Sequence, residues 1–389
     1  MSLDLLPPTV LSLPPAPSLL PIDFWVAGNP ITEYGCHNAN SLDGESPGGR
    51  KSRNGEGDLA AIPLIELWRG GMLESVHAGH AVICDESGAI VEAWGDPEAV
   101  IFPRSSCKMI QALPLIESGA AEAFGLTEAQ LALACASHNG AHIHTDPVNR
   151  WLADLGMGDD DLRCGTQMPD DRDARKELMC SDAAPCQVHN NCSGKHAGFL
   201  TLGRHLKAGP DYVEVDHPVQ KAVRAAFEEV TGEASPGYGI DGCSAPNFAT
   251  SLHGLGRAMA GFAAANPEGN ARERAMARLW RAMVAYPALV AGEGRACTNL
   301  MRAMGGKVAV KTGAEAVFVA ILPEMKRGVA VKILDGGTRA SEAAITALLV
   351  RLGALEAGHP VVGLYLSDPM LNRRGIAVGE MRLASGFAA

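Results

Sequence analysis

Residues 103–111 read PRSSCKMIQ, and this stretch places Ser105 three residues before Lys108. In a helix, side chains at positions i and i+3 lie on one face, with their Cβ atoms about 5–6 Å apart. A buried lysine that has lost its proton acts as a base towards a serine hydroxyl at that distance. Pro103 and the serines suit a helix entry, so we predict a helix that begins near Ser105. The same letters also fit a capping serine with a solvated lysine one turn later.

The composition favours small-molecule chemistry. The chain has 389 residues, 47% of them apolar, and a formal net charge of −11. No block of lysines and arginines is present to attract nucleic acid or an anionic membrane surface. No apolar run approaches the length of about 18 residues that spans a bilayer. We therefore expect neither a nucleic-acid partner nor a membrane partner.

The cysteines favour a reducing compartment. Ten cysteines are scattered along the chain, and several lie inside apolar segments. In a chain of this size, such usage is typical of free thiols rather than a disulfide framework. The N-terminus lacks the basic and apolar regions of a secretory signal. We predict a cytoplasmic protein.

The pattern divides the chain into a leader and one catalytic domain. Residues 1–62 are dense in Pro, Gly, Ser and Asn without a sustained period, which predicts a disordered or loosely packed segment. Residues 63–389 form the predicted domain, with strands in 63–102 and 305–352 and helices in about 104–290. We predict an α/β (α+β) fold in which both chain ends build one antiparallel sheet and a mainly helical subdomain is inserted between them.

Particular segments support this division. HAVICDESGAIVEAWG at 80–95 indicates a hairpin, and KVAVKTG, AVFVAILP and GVAVKIL between 307 and 334 indicate an antiparallel meander. Helical periodicity is present in TEAQLALACASH, HPVQKAVRAAFEEVTG, NARERAMARLWRAMVAYP and TRASEAAITALLVRLGAL.

Three short fragments follow one another in an order typical of one chemistry. They are Ser105-x-x-Lys108, Ser137-His-Asn139 and Lys311-Thr-Gly313. Serine β-lactamases and penicillin-binding proteins carry S-x-x-K, S-D-N and K-T-G in this order. We predict Ser105 as nucleophile, Lys108 as its base, Ser137 as a proton relay and Lys311 as a source of positive potential. Taken singly, the first fragment also fits a capping serine, the second a turn and the third a lysine on a strand.

A second cluster contains possible metal ligands. Cys192, Lys195 and His196 occupy NNCSGKHAG, and Cys243 lies in the Gly-rich stretch YGIDGCSAPNF. Two cysteines and a nitrogen ligand suit Zn²⁺ and leave one position for water or substrate. The spacing matches no zinc-finger pattern, and buried free cysteines fit the same letters.

Together, these stretches resemble a known family. FPRSSCKMIQALP, ALACASHNG, HNNCSGKHAGFL, GIDGCSAPNFA and KTGAEAVF are similar to the rhizobial-type L-asparaginases, also called class 3 or thermolabile-type. The resemblance covers residues 65–385 and implies a fold shared with serine β-lactamases and glutaminases. It also implies the hydrolysis of L-asparagine to L-aspartate and ammonia through an acyl-enzyme, and a homodimer.

The resemblance also implies roles for individual residues. Ser105 with Lys108 and Ser137 with Lys311 match its two catalytic pairs. The remaining residues match a zinc site and the lining of the substrate pocket. Cys192, Lys195 and Cys243 match the ligands of a Zn²⁺ ion near the substrate, and Arg104, His196 and Asp241 match residues that line the site. Our own hypothesis is that the metal orients the substrate's α-amino and carboxylate groups.

Two further polar stretches lie near predicted strand ends, EGRACTN at 293–299 and LDGGTRASE at 334–342. From the first we expect Glu293 and Arg295 around the site, and we also expect His138 there. Alternatives to an asparaginase stay open at this point. A glutaminase differs by one methylene, worth about 1–3 kcal/mol in a pocket. A β-lactam-reactive hydrolase and a non-catalytic protein that binds an amino acid or a metal are the others.

Overall fold

The computed structural model describes residues 60–388. Apart from its last three residues, the predicted leader at 1–62 therefore lies outside the described residues. Within 60–388, no helix combines the length and the apolar character needed to cross a bilayer.

The strands of the described residues are numbered in chain order. They are β1 Ile62–Arg69, β2 Met72–Cys84, β3 Ile90–Trp94, β4 Val100–Ile101, β5 Tyr238–Ile240, β6 Pro246–Phe248, β7 Thr250–Ser251, β8 Ala309–Gly313, β9 Val317–Leu322, β10 Arg327–Ile333, β11 Met370–Leu371 and β12 Ala377–Leu383.

One antiparallel sheet contains strands from both ends of the described chain. Its order is β11-β12-β1-β2-β10-β9-β8, and β3 pairs with β2. Gly70 and Gly71 connect β1 to β2, and their positive φ angles of 56° and 80° suit a two-residue hairpin turn. The predicted hairpin of β2 with β3 and the predicted meander of β8, β9 and β10 are both confirmed.

The helices are numbered in the same way. They are α1 Lys108–Gln111, α2 Leu113–Glu117, α3 Ala120–Ala123, α4 Glu128–Ala134, α5 His142–Asp154, α6 Arg172–Cys180, α7 Ser193–His205, α8 Pro218–Thr231, α9 Leu252–Ala264, α10 Ala271–Ala285, α11 Pro287–Val290, α12 Ala296–Ala303, α13 Thr338–Arg351 and α14 Pro360–Val362. A 3₁₀ helix at Arg104–Cys107 leads into α1, and a π-helical turn at Gly363–Ser367 follows α14.

The helix boundaries follow local capping rules. Thr127 and Gln130 form a capping box at the start of α4, and Asn270 and Glu273 form another at the start of α10. Gly232 ends α8 in the left-handed conformation, with φ 71°. The four helices predicted from periodicity are all present, as α4, α8, α10 and α13.

The sheet is covered on both faces in its centre. Helices α9 and α13 both pack against β9 and β10. All six residues of β9, Val317–Leu322, are buried, which requires a layer on each side of that strand. The predicted fold class is confirmed: a sheet built from early and late strands, with the helices α1 to α12 between them.

Candidate active site

Ser105 lies in a strained turn at the start of the helical region. It follows Arg104, whose φ of 53° is in the left-handed region that residues with a Cβ seldom adopt. Two contacts hold Arg104 there: its backbone N–H donates to Asn247 Oδ1 at 3.3 Å, and its Nη2 donates to Asp241 Oδ1 at 2.7 Å. Strain of this kind is concentrated at functional sites, where neighbouring contacts maintain it. The side chain of Ser105 is partly exposed.

The hydrogen bonds of Lys108 go to partners other than Ser105, the serine with which it was predicted to pair. Its Nζ donates to Ser137 Oγ at 3.0 Å, to Cys192 Sγ at 3.1 Å and to the carbonyl of Ala136. Among residues 60–388, no hydrogen bond joins Lys108 to Ser105. The shared helical face thus does not produce the expected hydrogen bond among these residues, because the long lysine side chain reaches partners across the core.

The predicted contact between Ser137 and Lys311 is present. Lys311 Nζ donates to Ser137 Oγ at 2.9 Å and to the carbonyl of Thr312 at 2.7 Å. Ser137 therefore lies between two buried lysines, Lys108 and Lys311, which are 1% and 0% exposed. We call these three residues the serine–lysine centre.

The end of β8 brings this centre next to Ser105. A Cβ added to Gly313 would lie 2.7 Å from the carbonyl oxygen of Pro103 and 2.9 Å from the backbone nitrogen of Ser106. Only a glycine allows the two backbones to approach so closely. Ser105, Ser137 and Lys311 therefore belong to one site.

Burial changes the charge state of Lys311. Burial, with smaller contributions from the positive charges of Lys108 and Arg295, lowers its pKa to about 7, although Cys297 opposes the shift. A lysine with this pKa is largely neutral above pH 7 and able to accept a proton.

The predicted metal ligands also converge. Lys195 Nζ lies 3.0 Å from Cys243 Sγ, and the Cys192 thiol donates a hydrogen bond to Cys243. All three side chains are buried. The hydrogen bond from Cys192 and the charge of Lys195 hold the pKa of Cys243 well below its ordinary value. Residues 60–388 contain no group of three or more His, Cys, Asp or Glu side chains that could hold a metal, at this cluster or elsewhere, so a metal here would depend on Lys195.

Arg104 and Asp241 form the partly buried ion pair beside Ser105. Burial raises the pKa of Asp241, but the hydrogen bond from Arg104 and the charge of Lys195 outweigh it and hold the pKa below its usual range. The pair therefore carries both charges at neutral pH.

Two predicted site histidines are completely buried. His138 donates from Nε2 to Ser193 Oγ at 2.9 Å and stacks on His144 at 4.8 Å between ring centroids. His196 Nδ1 is 2.9 Å from the hydroxyl of Tyr212. Burial lowers the pKa of both His138 and His196, which keeps them neutral. In this arrangement they support the loops around the site rather than face its opening.

The pair expected from EGRACTN divides between surface and site. Glu293 is exposed and forms an ion pair with Arg302 at 2.6 Å. Arg295 is partly buried, and its charge acts on Lys311 and His138. The same stretch contains Cys297, which the sequence reasoning did not assign; its Sγ accepts the N–H of Thr312 at 3.3 Å.

The geometry can be compared with known proteins. A sequence profile described as L-asparaginase II matches residues 65–383. A family of this description consists of enzymes that hydrolyse amides. The chain belongs to the L-asparaginase II family, which confirms the resemblance seen in the five motifs.

Comparison with curated proteins gave no match. Among solved structures, the chain is similar to Mglu in its tris and glutamate form, at 11% identity and a TM-score of 0.42, over 72% of this chain and 60% of that chain. It is similar to a β-lactamase from Mycobacterium bovis at 13% identity and a TM-score of 0.38, over 71% and 95% of the two chains. An octameric penicillin-binding protein homologue from Pyrococcus abyssi matches at 12% identity and a TM-score of 0.31, over 72% and 74%.

Proposed function

We propose that this chain hydrolyses the side-chain amide of L-asparagine to L-aspartate and ammonia, with Ser105 as the nucleophile. The observation that carries the proposal is the serine–lysine centre beside Ser105. One hydroxyl, that of Ser137, contacts two buried lysines at 2.9 and 3.0 Å. A purely structural serine has no need of two buried amines, because each buried charge is costly unless it is compensated.

The proposed reaction has two halves. The Oγ of Ser105 bonds to the amide carbon, the C–N bond breaks, and the nitrogen leaves as ammonia after it gains a proton. Water then attacks the ester, and aspartate is released. Each half passes through an oxyanion. We propose that the backbone N–H of Ser105 stabilises it, because the N–H groups of Arg104 and Ser106 already donate to Asn247 Oδ1 and to the Pro103 carbonyl.

The lysines share the proton transfers. Lys108 is the proposed base for Ser105, and Ser137 with the neutral form of Lys311 is the relay that accepts this proton from Lys108 and passes it to the leaving nitrogen. Lys311 suits this role because its pKa of about 7 lets it both lose and gain a proton near neutral pH. Since Ser105 has no hydrogen bond to Lys108 among the described residues, the assignment requires the Ser105 hydroxyl to turn towards Lys108 when substrate binds.

The residues Cys192, Lys195 and Cys243 fit a zinc ion. The Cys243 sulfur lies within hydrogen-bond distance of both the Lys195 amine and the Cys192 thiol, and Zn²⁺ binds readily to sulfur and nitrogen donors. The protons of Lys195 and Cys192 now link these donors, and a bound Zn²⁺ would take their place. When bound, the metal supplies a positive charge that orients the substrate. The Arg104–Asp241 pair shapes the wall between this cluster and Ser105.

We further propose a cytoplasmic location, supported by the free thiols of the described cysteines, and a homodimer, supported by the family resemblance. Light scattering after size-exclusion chromatography measures the second directly.

The activity is tested by following ammonia and aspartate after L-asparagine is added to the wild-type chain. We expect release of both, with L-glutamine and a chromogenic cephalosporin converted far more slowly. Ser105→Ala should lower turnover by roughly three orders of magnitude or more. Ser106→Ala is the matched control, because that hydroxyl bonds the Pro103 carbonyl at 2.7 Å, and it should cost less than tenfold. Intact asparagine alongside consumed glutamine or cephalosporin would contradict the proposal.

A further inference from the structure

The two polar stretches at 293–299 and 334–342 meet beside the serine–lysine centre. The stretch 293–299 is held beside this centre by two hydrogen bonds. The N–H of Thr312 donates to Cys297 Sγ at 3.3 Å, and just before the stretch the Val290 carbonyl accepts the N–H of Ser137 at 2.9 Å. Arg295 lies between these two anchoring points, directly before α12. It is therefore fixed between the Ser137 loop and the end of β8.

The second stretch supplies Glu342, in the second turn of α13. Helix α13 packs against the π-helical turn that carries Tyr365. The hydroxyl of Tyr365 accepts a hydrogen bond from Asn299 Nδ2 at 2.7 Å. Asn299 is four residues after Arg295 and thus on the same face of α12. Glu342 and Arg295 act electrostatically on the same two groups, Tyr365 and Cys297, which places both charges at one junction.

Both charges lack partners of their own. Within residues 60–388, neither the guanidinium of Arg295 nor the carboxylate of Glu342 has a hydrogen bond or an ion pair. Each is partly buried, so each has lost some of its water without gaining a protein partner. Burial raises the pKa of Glu342, and the charge of Arg295 opposes that shift. The two groups therefore interact electrostatically, but within the described residues they do not form an ion pair.

Two other arginines, Arg104 beside Ser105 and Arg302 in α12, are already engaged with acidic partners. Arg104 donates twice to Asp241, at 2.7 and 3.1 Å. Arg302, on the same helix as the Arg295 junction, is paired with Glu293. Arg295 differs from both, because within residues 60–388 its guanidinium N–H groups have no hydrogen-bond partner and are available to a ligand.

We propose that Arg295 binds the α-carboxylate of the substrate and Glu342 binds its α-ammonium group. This inference rests on the proposed function and names its substrate class: amides that carry a free amino-acid head, rather than amides in general. A guanidinium matches a carboxylate with two parallel hydrogen bonds, and a carboxylate accepts from an ammonium group. A zwitterion satisfies both unpaired side chains at once, whereas a simple amide satisfies neither.

The test compares three amides that differ only in the head group. L-Asparagine has both charges, succinamic acid lacks the α-ammonium, and 3-aminopropanamide lacks the α-carboxylate. For Arg295→Gln, we expect KM to rise about tenfold to a hundredfold for asparagine and succinamic acid and to stay unchanged for 3-aminopropanamide. For Glu342→Gln, the expected pattern is reversed, with succinamic acid unaffected. The unaffected amide in each variant shows that the fold is intact.

The controls neutralise charges already paired at the surface. Arg302→Gln and Glu324→Gln remove partners of the exposed ion pairs Arg302–Glu293 and Lys307–Glu324, and they should leave all three KM values unchanged. An equal change for all three amides in either site variant, or no change for any, would overturn the inference.

A binding measurement separates this inference from the proposed reaction. Calorimetric titration with L-aspartate, succinate and β-alanine reports the head-group contacts without hydrolysis. If the wild type binds aspartate but releases no ammonia from any amide, the proposed function fails while the loss of aspartate binding in Arg295→Gln still supports the inference. If asparagine is hydrolysed and both variants bind aspartate as the wild type does, only the inference fails.

Discussion

Lys311 and Lys195 are two buried lysines of one site, and their pKa values shift in opposite directions. Burial dominates at Lys311, where the charges of Lys108 and Arg295 add to it, and the pKa falls to about 7. Burial acts in the same direction at Lys195, but the sulfurs of Cys243 and Cys192 outweigh it and raise the pKa above its ordinary value. The charge of the nearest partner, rather than burial alone, decides which lysine gives up its proton.

The contrast separates two kinds of chemistry within one site. A lysine that titrates near pH 7 is suited to proton transfer, as proposed for Lys311. A lysine that stays charged beside two sulfurs holds a binding site together. It releases its proton only when a metal ion such as Zn²⁺ binds in the proton's place. The following predictions test this division of roles.

The largest effects are expected from replacing Lys311 and, separately, Cys243 of the cysteine–lysine cluster formed with Cys192 and Lys195. Lys311→Met should lower kcat for L-asparagine by about two to four orders of magnitude with little change in KM, because it removes a proton carrier. Cys243→Ser should raise KM by about tenfold or more and lower kcat less than tenfold, because it removes a proposed ligand of the metal that would position the substrate. Steady-state kinetics measures both, and elemental analysis should show zinc loss only in Cys243→Ser. The reverse pattern of kcat and KM would break the comparison.

A smaller effect is expected from separating Ser105 from β8. In Gly313→Ala, the new methyl group would collide with backbone atoms of Pro103 and Ser106 and push the strand away from the Ser105 turn. We expect kcat to fall by about tenfold to a hundredfold, as for a displacement near 1 Å. Gly261→Ala in α9 is the control, since its Cβ would meet only Met276 Cε at 3.9 Å. If kcat is unchanged in Gly313→Ala, Lys311 does not depend on that close approach.

The smallest effect concerns pH. Since only the neutral amine accepts a proton, kcat/KM should fall as the pH drops below about 7 and Lys311 becomes charged. Arg295→Gln removes a positive charge that lowers this pKa, so the acid limb should move to higher pH, by less than one unit. Arg302→Gln, which neutralises an exposed arginine, should leave the limb in place. If the acid side of the kcat/KM–pH profile is the same in Arg295→Gln as in the wild type, the titrating group is not Lys311.

Most of the fold was predictable because its signals are local. The hairpin of β2 and β3 is bounded by the Asp-Glu-Ser-Gly turn, and β9 is an unbroken apolar run typical of a strand covered on both faces. The pairing of β12 with β1 was not foreseen. Residues 377–383 alternate only weakly between apolar and polar side chains, and no residue of β12 is fully buried, so the strand lacked a clear pattern.

The site was predictable as a list of residues but not as a set of contacts. The motifs identified Ser137 and Lys311, which do touch. They also suggested a contact between Lys108 and Ser105, which stays a prediction. The hydrogen bonds of the Lys108 amine in the described residues go to Ser137, Cys192 and the Ala136 carbonyl, far away in sequence. Local spacing predicts which residues share a turn, but it does not predict which distant group a long side chain meets.

The proposed role of Glu342 in binding substrate could not be predicted from the sequence, for a related reason. It reads as an ordinary polar residue of a helix that begins at Thr338. Only the absence of a partner within the described chain, together with the nearby Arg295, distinguishes it. An unpaired charge is a property of the folded neighbourhood, so no sequence pattern signals it.

The meeting of β8 with the Ser105 turn has a consequence for synthesis of the protein. Ser105, Lys108 and Ser137 leave the ribosome well before Lys311, and β8 joins the sheet only through β9 and β10. Pairings between distant segments form late, because the chain between them must close as a loop. A nascent or prematurely terminated chain thus carries Ser105, the proposed nucleophile, without Lys311, and we expect it to be inactive until β8, β9 and β10 have been translated.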